Sequence, residues 1–159
     1  MVAPAFTDAP GCWPRDAIAI ATTLLDNTRH AYFTRDFDHF ARHFVLPHKV
    51  GTFEGDRMIN TFDELRITFD GICAQFERLG VIDLYRQVIN AEFRGPARIQ
   101  ATYLPRYVLR GHVFGDEYLG HGHLIRHGGA WQIAESTYAS NATEVTRVLV
   151  PQTPPRQSE

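Results

Sequence analysis

Apolar residues recur at helical spacing in the first half of the chain and at alternate positions in much of the second. Ile18, Ala21, Leu25, Thr28 and Tyr32, with Leu24 at the edge, fall within one stripe about 100° wide, which predicts a helix starting at Arg15. Phe37, Phe40 and Phe44 mark the buried side of a second, short helix. Thr34 offers its N-cap, Asp36 and Asp38 put negative charge in its first turn, and Pro47 makes it stop earlier. The third helix has the clearest ends. Thr61 and Glu64 have capping-box spacing, Leu65, Phe69, Ile72, Phe76 and Leu79 form one stripe, and Gly80 supplies a left-handed stop with Val81 placed for a hydrophobic clasp.

Residues 49–59 read as two short extended pieces around Glu54-Gly55-Asp56. After Gly80 the period falls to two, so 82–94 and 97–110 are predicted strands joined at Arg94-Gly95-Pro96. Ile99, Ala101, Tyr103, Tyr107 and Leu109 share one face of the second strand, and Arg98, Gln100, Thr102, Arg106 and Arg110 the other. Pro105 cannot donate to a ladder and demands an edge or a bulge. Residues 111–116 read as a loop, 117–127 and 130–139 as a hairpin around Gly128-Gly129, and 141–150 as either a closing strand or an irregular cover. Residues 1–14 and 151–159, each with three prolines, are expected to be an arm and a mobile tail around one domain, 15–150. No internal repeat is present. Helices followed by long strands predict an α+β fold, three N-terminal helices packed on one face of a curved antiparallel sheet. The other face then meets solvent or a second chain, and a two-fold homodimer is the commonest solution.

A chain of 159 residues fits a single domain, and 44% hydrophobic with 21% charged residues excludes intrinsic disorder. The net charge of −2, with fifteen arginines and one lysine scattered without a run, offers no basic face for nucleic acid. No stretch approaches the roughly 18 apolar residues of a membrane span, and the N-terminus lacks the charged-then-apolar order of a signal peptide, so a cytoplasmic location is expected. Cys12 and Cys73 are too few for a disulfide framework, and Cys73 reads as a small buried hydrophobe.

The succession resembles the NTF2-like superfamily, particularly its small SnoaL-like members. The resemblance is carried by Tyr32 through Arg35-Asp36-Phe37 into Phe40 and Phe44, by Gly55, by the capped helix over 61–79, and by Gly128-Gly129-Ala130-Trp131-Gln132-Ile133. It spans about 15–139. It implies a cystatin-like cone, a pocket at the open end, and a dimer formed through the sheet. This fold hosts ketosteroid isomerases, dehydratases, epoxide hydrolases, polyketide cyclases and binding modules such as the nuclear transport factor, so fold alone selects no chemistry. Aligned on Asp36, the isomerase's tyrosine falls at Thr28, its carboxylate base at Thr52, and its protonated aspartate near His121 and Gly122. A threonine hydroxyl cannot take a proton from carbon at neutral pH, which removes the isomerase's base. Glu54 is the nearest carboxylate, and Glu54→Gln is expected to leave ligand binding intact.

Other candidate groups are less pointed. His39 and His43 have the i, i+4 spacing of helical metal ligands, but Phe40 stands where a zinc peptidase needs Glu, and both lie off the apolar stripe. His121 and His123 share one side of a strand with Ile125, between glycines; the resemblance favours Leu124 inward, which sends them to the dimer side, and in the other register they become an acid–base or metal pair. Arg35-Asp36 reads as a helix-start charge pair, and Arg98, Arg106 and Arg110 as a solvated or interface stripe. Residues 111–115 lack the Lys-Ser/Thr of a phosphate loop, and no nucleophile elbow is present. Among the aromatics, Phe69 and Trp131 suit core packing, whereas Tyr32, Tyr103 and Tyr107 carry hydroxyls suited to a pocket wall. The expected function is therefore a pocket for a small, largely apolar organic ligand, lined by Thr28, Tyr32, Phe44, Thr52, Tyr103, Tyr107 and Trp131. The alternatives are a cofactor-free isomerase, dehydratase or cyclase working by acid–base catalysis, and a protein-interaction module. No catalytic residue is nominated, and neither cofactor, metal, nucleic acid nor membrane is expected as a partner.

Overall fold

The computed structural model describes residues 13–114 and 118–139. Cys12, most of the expected arm, the segment 141–150 and the tail 151–159 lie outside the described residues.

Helix α1 runs Pro14–Thr34, with Pro14 at its first position, where the missing N–H costs nothing, and the Asp16 carboxylate accepting from the Trp13 N–H at 3.3 Å. Its buried side is rotated from the expected stripe. Ile18 is 39% exposed, while Ala17, Ala21, Leu24, Leu25, Thr28, Ala31 and Tyr32 are buried. Alanines on that side let the helix lie close on the sheet, and a reading weighted toward large side chains passes over them. Arg35 closes α1 in the left-handed conformation at φ 56°, and Asp36, not Thr34, caps the next helix by accepting from the His39 N–H at 3.0 Å.

Helix α2 is only Phe37–Ala41, because strand β1 (Phe44–Thr52) begins well before Pro47. Phe44 thus belongs to a strand. Pro47 is tolerated there because β1 pairs with its neighbours at Phe44 and again only from His48 onward. Strand β2 (Gly55–Ile59) returns from a turn centred on Phe53-Glu54, one residue earlier than expected. Helix α3 (Phe62–Leu79) matches its sequence signals. Thr61 accepts from the Glu64 N–H at 3.1 Å, the Glu64 carboxylate accepts from the Asn60 N–H at 2.8 Å, and Gly80 is left-handed at φ 75°. Leu65, Phe69, Ile72 and Phe76 are all buried, which stabilises the fold by about 2 kcal/mol apiece.

Strands β3 (Val81–Phe93) and β4 (Arg98–Leu109) form the expected hairpin. Pro105 falls between the part of β4 paired with β6 (Gly120–His127) and the part paired with β5 (His112–Phe114). The short β5 occupies part of the segment expected to be loop. Strand β7 is Ala130–Tyr138, and the sheet order is β2-β1-β7-β6-β4-β3, with β5 on β4. All neighbours are antiparallel except β1 and β7, so the sheet is mixed and not antiparallel as expected. Alternation defines the faces of a strand but carries no information on its neighbours. The helices cover one face of this curved sheet. No helix among the described residues is long and apolar enough to cross a membrane.

Two bulges meet on β7. Opposite β6 the ladder skips Ala134, and opposite β1 it steps from Phe44–Ile133 to Lys49–Glu135. The extra residue reverses the alternation, so Ile133 faces the helices on one side of the step and Ser136 on the other.

Candidate functional site

The buried residues form two clusters. One joins α2, α3, β1 and β2 around Phe40, Val50, Ile59, Leu65, Phe69 and Phe76; the other joins the start of α1 to Ala91, Ile99, Ala101, Leu124 and Ile133. Where the clusters meet, the packing opens into two adjoining chambers, each with a cavity volume of about 40 Å³. On a scale where one water needs about 10–15 Å³, each chamber holds a few waters. Tyr32, Ile72, Arg86, Tyr103 and Tyr138 border both.

Four of the seven expected pocket residues line these chambers: Tyr32 and Tyr103 both, Phe44 the first, Tyr107 the second. Thr28 is 1% exposed and stands just behind the wall, its hydroxyl donating to the Leu25 carbonyl at 3.0 Å and accepting from Arg86 at 2.7 Å. Thr52 and Trp131 are elsewhere. Thr52 follows His48 and Val50 on the same side of β1 but lies past the chamber, at the end of the β1–β2 hairpin, where its hydroxyl accepts from the Glu54 N–H. Trp131 packs against Phe93 at 6.1 Å between ring centres and borders an outer groove with Ile20, Leu24, Arg42 and His43, because it stands at the Gly128-Gly129 end of β7, two residues before Ile133, which lines the chamber from the same side of the strand. That groove is wider, about 540 Å³, but shallow and open. The buried polar groups converge on the inner chambers, which makes those the stronger site candidate.

Sequence reasoning missed His48, Arg86, Ser136 and Tyr138, all of which line the first chamber. His48 is 1% exposed, with its ring edge-on to Phe44 at 5.0 Å. Burial pulls its pKa down from 6.5 to about 4, against an opposing pull from hydrogen bonding with the backbone of Ile133 and Ala134. The ring therefore plugs the bulge. Its Nδ1 is buried with no hydrogen-bond partner. At neutral pH the imidazole is uncharged, and an Nδ1 lone pair is free to accept a proton or a hydrogen bond.

Arg86 lies between Leu84 and Val88 on the inward side of β3. Its Nη2 donates to the Leu25 carbonyl and the Thr28 hydroxyl. Around it stand five tyrosines. Burial, first of all, raises the pKa values of Tyr32, Tyr103 and Tyr118, and the Arg86 charge only partly opposes this for Tyr32 and Tyr103. These phenols stay protonated and act as hydrogen-bond donors and acceptors. Tyr103 shares a hydrogen bond with Tyr138, and the Tyr107 and Tyr118 hydroxyls pair directly. Gly120 makes room for this cluster: it faces Tyr103 across the ladder, and a Cβ there would overlap the ring. No aspartate or glutamate lines either chamber among the described residues, and Glu54 is exposed on its hairpin.

Leu124 turns inward at 3% exposure, which sends His121 and His123 to the outer face of the sheet. There His121 Nδ1 lies 3.2 Å from the Thr102 hydroxyl, and His123 Nδ1 3.8 Å from the Glu135 carboxylate. His39 and His43 are half-buried rather than turned to solvent, with rings edge-to-face at 5.1 Å, because α2 folds back against α1 and brings His39 onto His30. No three histidine, cysteine or acidic side chains among the described residues are placed to hold a metal. Cys73 is buried, its thiol donating to the Tyr32 carbonyl at 3.7 Å.

No protein-family model matches the sequence, and no curated protein matches it significantly. Solved structures do match. A domain of unknown function with a cystatin-like fold from Nostoc punctiforme PCC 73102 has a TM-score of 0.60 at 17% identity, over 80% of this chain and 78% of that one. An NTF-2-like protein of unknown function from Shewanella oneidensis MR-1 has a TM-score of 0.59 at 10% identity, over 77% and 98%. A ketosteroid isomerase-like protein from Erwinia carotovora atroseptica SCRI1043 has a TM-score of 0.54 at 11% identity, over 79% and 97%.

Proposed function

The chain has the NTF2-like, cystatin-like fold, and on that scaffold we propose that the paired inner chambers bind a small, largely apolar organic ligand. The observation that carries this reading is His48, a neutral imidazole sealed in an apolar wall with an unpartnered acceptor nitrogen facing no protein donor. An unsatisfied buried acceptor costs about 1–3 kcal/mol, and a ligand hydroxyl or N–H placed against it removes that cost. Tyr32, Phe40, Phe44 and Tyr103 supply the aromatic wall. The chambers are narrow, so a ring-sized ligand enters by moving side chains, Tyr138 foremost, because, of the two part-exposed members of the shared wall, Arg86 and Tyr138, the first is tied to α1 by its hydrogen bonds.

Thermal unfolding against a panel of ring-containing metabolites tests the proposal. A ligand at 100 times its Kd adds about 2.7 kcal/mol, and the stabilisation is expected to vanish in Ala101→Val, which fills the first chamber. Stabilisation that survives in Ala101→Val contradicts the assignment of the site.

His48 also favours a second reading, a cofactor-free isomerase, dehydratase or cyclase. It supplies the proton acceptor that Thr52 lacks, although a nitrogen with a pKa of about 4 is a weaker base than one tuned near 7. In that case His48→Gln abolishes turnover while ligand binding persists. A cytoplasmic location and a two-fold homodimer complete the proposal. The half-exposed Ile82, Tyr85 and Ile89 on β3 support a dimer contact on the sheet. Light scattering at micromolar concentration reads the mass directly.

A further inference from the structure

Arg86 specifies the ligand's chemistry further. Its guanidinium is half-buried and borders both chambers, yet among the described residues no carboxylate stands within ion-pair distance. Asp83, three residues earlier on the same strand, is occupied by Arg29, whose Nε and Nη2 donate to its two oxygens at 2.7 and 3.1 Å. Arg86 is anchored through Nη2 alone, by two neutral acceptors from α1. Neutral acceptors satisfy N–H groups but leave the charge uncompensated. A cation withdrawn from water without a counter-charge is costly to keep, and an arginine held by one edge presents its remaining donors as a fixed fork.

Building on the ligand-binding reading above, we propose that Arg86 is the anchor for a single carboxylate on a ring-bearing ligand, whose hydroxyl or N–H reaches His48. A carboxylate matches the two parallel donors a guanidinium offers. A phosphate monoester is disfavoured, because its second charge calls for another cation and no lysine or second arginine lines either chamber. The ring fits the aromatic and aliphatic wall between the two polar ends.

Matched acid–amide pairs separate charge from shape. The probes are benzoate and benzamide, 4-hydroxybenzoate and 4-hydroxybenzamide, and 2-naphthoate and 2-naphthamide, titrated at pH 7.5 by calorimetry. The wild-type protein is expected to bind the acid of at least one pair tenfold or more tightly than its amide. Arg86→Gln is expected to cut that preference below twofold, and Arg86→Lys, which keeps the charge but loses the two-donor fork, to lower it by a smaller factor. Should Arg86→Gln not fold, Arg86→Lys and Thr28→Val, which loosens the anchor, carry the comparison, both with a reduced preference. Amides that bind wild type as tightly as acids, or a preference that survives Arg86→Gln, overturn the carboxylate assignment and leave the cavity reading standing. Failure of every acid and every amide to bind overturns both.

Discussion

The buried imidazole makes a prediction about acid stability. In the unfolded chain His48 titrates near 6.5, and in the folded protein near 4, because burial disfavours its charged form. Between those values the unfolded chain holds a proton that the folded one does not, so stability rises with pH across that window and is lost as pH falls through it. Above about pH 7 both states are neutral at this site and the contribution is complete. Below about pH 4 both are protonated and the loss is complete. The gap corresponds to about 3 kcal/mol, a large fraction of a domain's net stability. His43 is shifted the same way, by burial and by its neighbours His39 and Arg42, so the raw acid profile is not specific to His48. The difference between wild type and His48→Gln isolates it. Urea unfolding at pH 7 and pH 4 is expected to show a drop about 3 kcal/mol smaller in the variant. An equal drop in both proteins, or an NMR titration placing His48 at 6.5 or above, refutes the account of a sealed, neutral imidazole.

Gly120→Ala is expected to destabilise by about 1–3 kcal/mol, since the methyl and the Tyr103 ring cannot share the space; chemical denaturation measures it. Thr28→Val keeps the shape and removes an acceptor from a charged donor, so a loss of about 1.5–3 kcal/mol is expected in the same assay. Thr61→Ala removes the α3 cap and is expected to cost about 0.5–2 kcal/mol, with hydrogen exchange accelerated at Glu64.

The helical part of this fold is written locally. Thr61, Glu64, the Leu65-to-Leu79 stripe and Gly80 each act within a few residues of themselves, and the structure realises all of them. The two glycine-linked hairpins were legible for the same reason, since turn residues and alternation mark them locally; the inward side of Leu124 was not fixed by alternation, which left two registers open, and only the family resemblance favoured the one the structure adopts. The sheet order was not, because the parallel pairing of β1 with β7 joins segments some 90 residues apart. The site was half legible. Tyr32, Tyr103 and Tyr107 follow from the 3.6 and 2 periods. Arg86 was within reach, as it sits between Leu84 and Val88 on a face that alternation sends inward. His48 and Ser136 were hidden by early entry into β1 and by the bulge at Ala134, where one extra residue turns the pattern over.

Methyl-resolved NMR tests the central claim most directly. Ile59, Ile72, Leu124 and Ile133 line the first chamber, while Ile20 and Leu24 line the outer groove beside Trp131. Titration with a ring compound that stabilises the protein is predicted to shift the first set of methyls and leave the second in place. Shifts concentrated at Ile20 and Leu24, with the chamber methyls unmoved, would contradict the assignment of the ligand site.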